Sequence, residues 1–315
     1  MMNDKKKLII LTGPTAAGKT SLSIELAKRL GGEIVSADSM QVYKYMDIGS
    51  AKITKAQMEG VPHHLIDVLM PDEEFNVFRF QQMAKESLSG IYSRNHVPIV
   101  VGGTGFYIQA LLYDIDFSQE EGKEEIRKRL EKEGEAYGAL YLHEKLRKID
   151  PVSAESIHPN NEKRIIRALE FFELNGYPIS LHNERERQRT SPYSFHYFVL
   201  TDERDRLYER IDKRVDQMLE DGLVEEVKGL KEMGYHRQMV SMQGLGYKEI
   251  LDYLDGSCTL KEAVYRIKRD TRHFAKRQLT WFRRERDVIW LNKKEFQYDD
   301  QKLLNYMENY RRIND

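Results

Sequence analysis

Cysteine is nearly absent: Cys258 is the only one in 315 residues. No intramolecular disulfide can form, and a reducing compartment is the natural setting. Long hydrophobic runs are missing too, none approaching the ~20 residues of a membrane span. The opening Met1-Met2-Asn3-Asp4-Lys5-Lys6-Lys7 is basic, but the apolar run behind it leads directly into a glycine-rich motif. That speaks against a cleavable signal peptide and for a cytoplasmic protein. There is almost no net charge: 50 Lys and Arg against 51 Asp and Glu leave -1, so a polyanionic partner must be met by a local patch. Proline is scarce, at 8, while charged residues reach 32%, a balance that suits a helix-rich chain. The 9 histidines show no metal-ligand spacing; the adjacent His63 and His64 would face opposite ways from a strand, so they are assigned structural or substrate-side roles. Without internal repeats, heptads or an apolar stripe, a monomer is the expectation.

What the chain does have is Gly13-Pro14-Thr15-Ala16-Ala17-Gly18-Lys19-Thr20, which fits G-x-x-x-x-G-K-[ST] in full. The apolar run Leu8-Ile9-Ile10-Leu11 precedes it and the amphipathic stretch Ser21-Leu22-Ser23-Ile24-Glu25-Leu26-Ala27 follows, so the order is strand, glycine turn, helix. Gly13 and Gly18 let the backbone converge several N–H groups on one anion. The helix N-terminus adds partial positive charge, Lys19 a full one, and the Thr20 hydroxyl is placed to ligand Mg²⁺. The alternative, a glycine turn that caps a helix with no ligand, is disfavoured by the flanking strand and helix being present together. A polyphosphate or a pyrophosphate ester is the expected ligand.

Short β-branched runs recur between helical stretches. Strands are expected at 33–37 and 98–102, with a weaker one at 64–68, and a helix over 76–92. Such alternation predicts a parallel sheet covered on both faces, with ligands at the edge where the strands end. From 118 to about 189 strand character vanishes. Helices are predicted over 124–133, 136–148 and 161–174, with breaks at Asp150-Pro151 and Asn175-Gly176. Strands return at 196–200 and 288–291, and 293–315 reads as a polar surface helix with a frayed end. The organisation predicted is an α/β core (1–117 and 191–315) interrupted by an all-helical insertion (118–190).

A motor or switch NTPase needs a carboxylate at the tip of a neighbouring strand to hold Mg²⁺ or orient water. The strand in that place ends Val100-Val101-Gly102-Gly103-Thr104-Gly105, with none. This shifts weight toward chemistry in which a bound phosphate is donor or leaving group. Asp38, just past the strand 33–37, reads equally as a general base beside the phosphate loop and as an Asx turn or helix cap. Thr104 reads as a donor to a leaving oxygen or as a turn residue, with Gly102-Gly103 allowing backbone to approach a ligand. Between Lys261 and Arg286 ten Lys or Arg face three acids, interleaved with Tyr265, Phe274, Trp281 and Phe282, a pattern suited to nucleic acid. Lys163-Arg164-Ile165-Ile166-Arg167 forms a second basic cluster, and Gln243-Gly244-Leu245-Gly246-Tyr247-Lys248 reads as a glycine-relaxed turn opening a helix.

Taken in order, GPTAAGKT (13–20), SADSMQVYK (36–44), DIGSAK (47–52), PHHLIDV (62–68), VGGTGFY (101–107), IHPNNEKRIIRALE (157–170), QGLGYKE (243–249) and TRHFAKRQLTW (271–281) resemble the tRNA dimethylallyltransferase (tRNA isopentenyltransferase) family over almost the whole chain. The linker around 118–123 is too bland to align. The resemblance implies a P-loop kinase-like α/β fold and an inserted helical domain that grips the tRNA anticodon stem-loop. It implies transfer of a dimethylallyl group from dimethylallyl diphosphate to the exocyclic amine of the adenosine 3′ to the anticodon. Family members are often described as ATP-binding from the loop motif alone. By resemblance, Asp38 orients the amine and accepts its proton. Lys19, Mg²⁺ on Thr20 and Arg214 stabilise the leaving diphosphate, and Thr104 bonds the bridging oxygen. The tRNA contacts implied are Asp38, Ser39, Met40, Gln41, Thr104, Arg127, Lys163, Arg164, Ile165, Ile166, Arg167, Gln243, Gly244, Leu245, Gly246, Tyr247 and Lys248. A P-loop small-molecule kinase and a nucleotide-gated RNA-binding protein are the rival readings.

Overall fold

A computed structural model describes residues 5–117 and 123–314, so the linker 118–122 lies outside the described residues. The chain forms two compact units, one of residues up to Leu112 together with those from Pro192 onward, the other Tyr113–Ser191. In the first, β1 (Lys6–Thr12), α1 (Lys19–Leu30), β2 (Gly32–Ala37), β3 (His63–His64), α2 (Val77–Ser93), β4 (Val97–Gly102) and α3 (Gly105–Leu112) follow one another. The second unit comprises α4 (Lys123–Tyr137), α5 (Ala139–Ile149), α6 (Pro151–Ser156), α7 (Glu162–Asn175) and α8 (Ile179–Gln188). The first unit then resumes with β5 (Tyr193–Thr201), α9 (Arg204–Glu220), α10 (Leu223–Glu232), α11 (Tyr247–Leu254), α12 (Leu260–Phe282), β6 (Val288–Asn292) and α13 (Asp300–Asn314).

The sheet order is β3-β2-β4-β1-β5-β6, and every neighbouring pair is parallel. Leu8, Ile9, Ile10 and Leu11 are all buried, as a parallel strand covered on both faces requires. Ile9 and Leu11 meet Leu22 and Leu26 of α1 and Leu303, Leu304 and Met307 of α13. The C-terminal helix therefore packs into the core along one face; its polar composition alone suggested a surface element. The strand anticipated at 64–68 shrinks to His63–His64, because Leu65 and Asp67 take positive φ (64° and 55°) as the chain turns away.

The helical unit packs Leu130, Leu142, Leu146, Ala154, Ile165, Ile166 and Leu169 into its own core. Its first helix runs to Tyr137, further than predicted, and ends where Gly138 turns to φ 82°. Asp150 explains the next break: it closes α5 and opens α6, accepting from the Ser153 N–H and hydroxyl and from the Ser180 N–H, with Pro151 in the first turn. Two short helices, α6 and α8, escaped the periodicity.

At the strand-start edge of the sheet, Glu33 is buried, 2% exposed, and accepts a bidentate pair from Arg94 plus bonds from His64 Nε2 and His96 Nδ1. It ties β2 to β3 and to the α2–β4 turn, and gives His64 a structural role. The Arg94 guanidinium, helped by both imidazoles and opposed by burial, holds the Glu33 carboxyl at about 2. A depressed acid stabilises the fold above its unfolded value, and that contribution is lost as pH falls from about 4.5 toward 2. Glu33→Gln should cost about 2 kcal/mol at pH 7, discounted for the half-exposed Arg94 and His96, and the deficit should vanish near pH 2. Urea unfolding midpoints at several pH values check it.

Candidate active site

Register decides what meets at the strand-end edge. Thr12, Gly102 and Ala37 lie side by side across β1, β4 and β2. The residues that follow, beginning at Gly13, Gly103 and Asp38, therefore share one rim. The phosphate loop at its centre is built as the motif requires. Gly13 has φ 146°, and a Cβ there would lie 2.2 Å from the Leu200 carbonyl oxygen of β5. Ala16 (φ 61°) and Gly18 (φ 91°) are left-handed, which turns successive amides inward. Ala16 is also packed against Leu207, Ile211 and Ala275, so α9 and α12 buttress the loop.

The Lys19 ammonium donates to the carbonyls of Gly13 and Pro14, each at 2.9 Å. Burial and the nearby Arg214 push its pKa down to about 8, opposed by Asp38. Arg214 is itself lowered by burial and raised by Asp38. Two cations and one carboxylate thus sense one another at the mouth of the loop, though they lie 19 to 195 residues apart in sequence. Asp38 forms the Asx turn of its structural reading and does so with one oxygen. Its Oδ1 accepts from the Met40 and Gln41 amides at 2.8 and 3.2 Å, forming an Asx turn, and among the described residues its hydrogen bonds all fall on that oxygen. Oδ2 is left for other chemistry. Thr104 is half-buried beside it, its amide bonded to the Ala37 carbonyl at 3.2 Å.

Gln278 on α12 is the functional side chain that sequence reasoning passed over. It is 6% exposed; its Oε1 accepts from the Thr15 amide and its Nε2 donates to the Gly103 carbonyl, both at 2.9 Å. It bridges the phosphate loop to the Thr104 loop. The glycines of that loop serve this packing: a Cβ on Gly103 would meet Gln278 Nε2 at 2.2 Å, and one on Gly105 the Trp281 ring at 2.2 Å. The expectation that Gly103 frees backbone for a ligand is corrected accordingly. Only the position of Gln278 inside the 271–281 motif hinted at this.

The surrounding residues divide. Ser39, Met40 and Gln41 are half-buried on the turn, and Met40 Sδ sits 2.7 Å from where a Cβ on Gly244 would be, so the 38–41 and 243–248 turns touch. Gln243 is exposed, Leu245 and Lys248 half-buried. Gly246 is buried at φ 94°, where it opens α11, and Tyr247 is 0% exposed. Tyr247 cannot present its ring to a ligand; it is scaffold. In the helical unit Lys163, Arg164 and Arg167 are exposed, whereas Ile165 and Ile166 are core, because helical period turns them inward. Arg127 and Arg167 both lean on the buried Glu170. Of the α12 aromatics only Tyr265, 63% exposed, faces solvent; Phe282 is buried and Trp281 is turned onto Gly105. Part of the α12 charge is spent on Arg272–Asp212 and Lys268–Asp216 pairs to α9, leaving Lys261, Lys276 and Arg277 exposed. Gly103→Ala should displace Gln278 and weaken binding of inorganic diphosphate about tenfold, read by titration calorimetry.

Comparison with known proteins places this geometry. The family model described as IPP transferase matches residues 41–285, and one described as isopentenyl transferase matches 6–72. A tRNA dimethylallyltransferase of Lachnoclostridium phytofermentans is 63% identical over 93% of each chain. The crystal structure of the full-length tRNA isopentenylpyrophosphate transferase of Bacillus halodurans superposes with a TM-score of 0.73 at 46% identity, covering 98% of each chain. That of a eukaryotic dimethylallyltransferase acting on tRNA gives 0.75 at 30% identity, covering 91% of this chain and 74% of the other. With a match of this extent joined to an intact phosphate loop and its neighbouring carboxylate, the chain belongs to the IPP transferase family, among the tRNA dimethylallyltransferases.

Proposed function

We propose that this protein transfers a dimethylallyl group from dimethylallyl diphosphate to the exocyclic amine of the adenosine 3′-adjacent to the anticodon of tRNA, releasing diphosphate. One observation carries the reading: a carboxylate with a free oxygen stands within electrostatic reach of Lys19 and Arg214 at the mouth of a phosphate loop. In the transfer the allylic C–O bond breaks and a C–N bond forms. The electron pair of the C–O bond leaves with diphosphate, and the amine proton passes to Asp38. An adenine amine is a weak nucleophile, so aiming its nitrogen supplies much of the catalysis. Lys19 and Arg214 meet the charge that grows on the leaving group, in a site where burial strengthens them. Thr104 bonds the bridging oxygen.

The amides of Ala16, Gly18, Lys19 and Thr20 form the diphosphate cradle, with Gly13 and Pro14 shaping the turn and the Thr15 and Ala17 amides bracing it through Gln278 and the Pro14 carbonyl. Mg²⁺ would find one hydroxyl ligand here, that of Thr20, whose side chain is exposed in the first turn of α1 directly after Lys19. Such a donor set fits an ion held mainly by diphosphate oxygens and water, with Thr20 as protein ligand. When bound, the ion neutralises leaving-group charge. For tRNA, the helical unit offers the exposed cations of α7 and the α/β unit separately offers those of α12 as phosphate contacts, and the adenine flips from its stack to reach Asp38. No helix among the described residues is long and apolar enough to cross a membrane. We read the protein as a cytoplasmic monomer on its composition.

Mass spectrometry of anticodon-loop nucleosides, after incubation with tRNA, Mg²⁺ and dimethylallyl diphosphate, tests the reading. A prenylated adenosine supports it; an unmodified loop, or phosphorylated acceptor with ATP instead, overturns it. Asp38→Ala should lower turnover about 10²–10⁴-fold while donor binding persists, and near-normal turnover would remove Asp38 from its role. Because Lys19 is held near 8, the free loop carries its ammonium below that pH and must take up a proton to bind diphosphate above it. Donor affinity should fall above pH 8, approaching tenfold per unit. Lys19→Arg should abolish that inflection in titrations between about pH 6.5 and 9.5.

A further inference from the structure

Glu226, in the first turn of α10, holds a loop that belongs to none of the roles above. Its Oε2 accepts from the amides of Asp47 and Ile48 at 2.9 and 2.7 Å, and its Oε1 from the Gly49 amide at 3.1 Å and the Tyr247 hydroxyl at 2.8 Å. That hydroxyl in turn accepts from the Ser50 amide at 3.1 Å. Four consecutive amides are thus fixed by one carboxylate and one phenol. Neither partner is interchangeable, since a Cβ on Gly49 would lie 2.6 Å from the Tyr247 ring and only glycine lets the loop lie flat on it.

The loop passes this order on. The Ser50 and Ala51 carbonyls accept from Gln41 Nε2 at 3.4 and 3.3 Å, and the Gln41 amide donates to Asp38 Oδ1. Lys52, its side chain 3% exposed, closes the same loop by donating to the Tyr43 carbonyl and to Asp47 and Asp67. Resting on the function proposed above, we infer that Glu226 is a positioning residue for Asp38, acting through the 47–51 loop and Gln41 to fix where the carboxylate aims. It touches no substrate. Its free energy of interaction is directed at three backbone amides and one hydroxyl, which a carboxylate satisfies and an amide, with a single acceptor oxygen, does not.

The test is a double-mutant cycle with prenyl transfer to tRNA as readout. Glu226→Ala should lower kcat about 10- to 100-fold with the KM for dimethylallyl diphosphate unchanged, and Glu226→Gln should fall between it and the parent. In the Asp38→Ala background, Glu226→Ala should have no further effect. A loss of equal size in both backgrounds, or a loss confined to donor KM, overturns the inference. If the parent enzyme prenylates nothing, it is the proposed function that fails, so the two failures are separable. Should Glu226→Ala not fold, Tyr247→Phe carries the same cycle, because it deletes only the hydroxyl between Glu226 and the Ser50 amide; additivity there is equally fatal.

Discussion

Strand ends set too close together for side chains are the constraint on which this site depends. A Cβ on Gly102 would lie 2.2 Å from the Ala37 carbonyl, and one on Gly13 the same distance from that of Leu200. Parallel pairing aligns the four strand ends, and glycine lets their backbones close up as the loops turn away. A lysine, a half-buried arginine and an aspartate are thereby gathered at one mouth without long side chains having to reach. Packing supplies the charge geometry; no ion pair has to supply it.

The same closeness sets the electrostatics. Lys19 and Arg214 repel each other and both lose solvent, which lowers both, while Asp38 works in the opposite sense. An arrangement of like charges held together by the fold relaxes when an anion arrives. Electrostatic preorganisation of this kind costs little at the moment of reaction, because the cost was met when the sheet closed.

Much of this was legible in sequence, for local reasons. The phosphate loop, the strands at 33–37, 98–102 and 196–200 and the helix after Asn76 announce themselves within a dozen residues each, through period, glycine and cap. What stayed hidden were relations across the chain. Gln278 meets Thr15 across 263 residues, and Glu226 meets Asp47 across 179. A glutamine or glutamate on a charged helix carries no local sign of such a partner. Residues borrowed from family motifs failed where a motif mixes surface and core: Ile165, Ile166 and Tyr247 sit beside exposed neighbours but face inward. Likewise α13 looked like a surface helix because Leu303, Leu304 and Met307, its buried side chains among the described residues, are a weak periodic signal.

The position of β5 has a consequence during synthesis. It lies against β1 at the middle of the sheet, yet Lys6 must wait for Tyr193, which follows only after the whole helical insertion. At about 5–20 residues per second on a ribosome, that interval lasts on the order of ten to forty seconds. Throughout it the phosphate loop has emerged but Leu200, which abuts Gly13, has not. The nascent chain therefore carries a partial sheet in which β1, central in the finished fold, is an open edge, while the helical unit, whose contacts are local, can fold before the sheet closes.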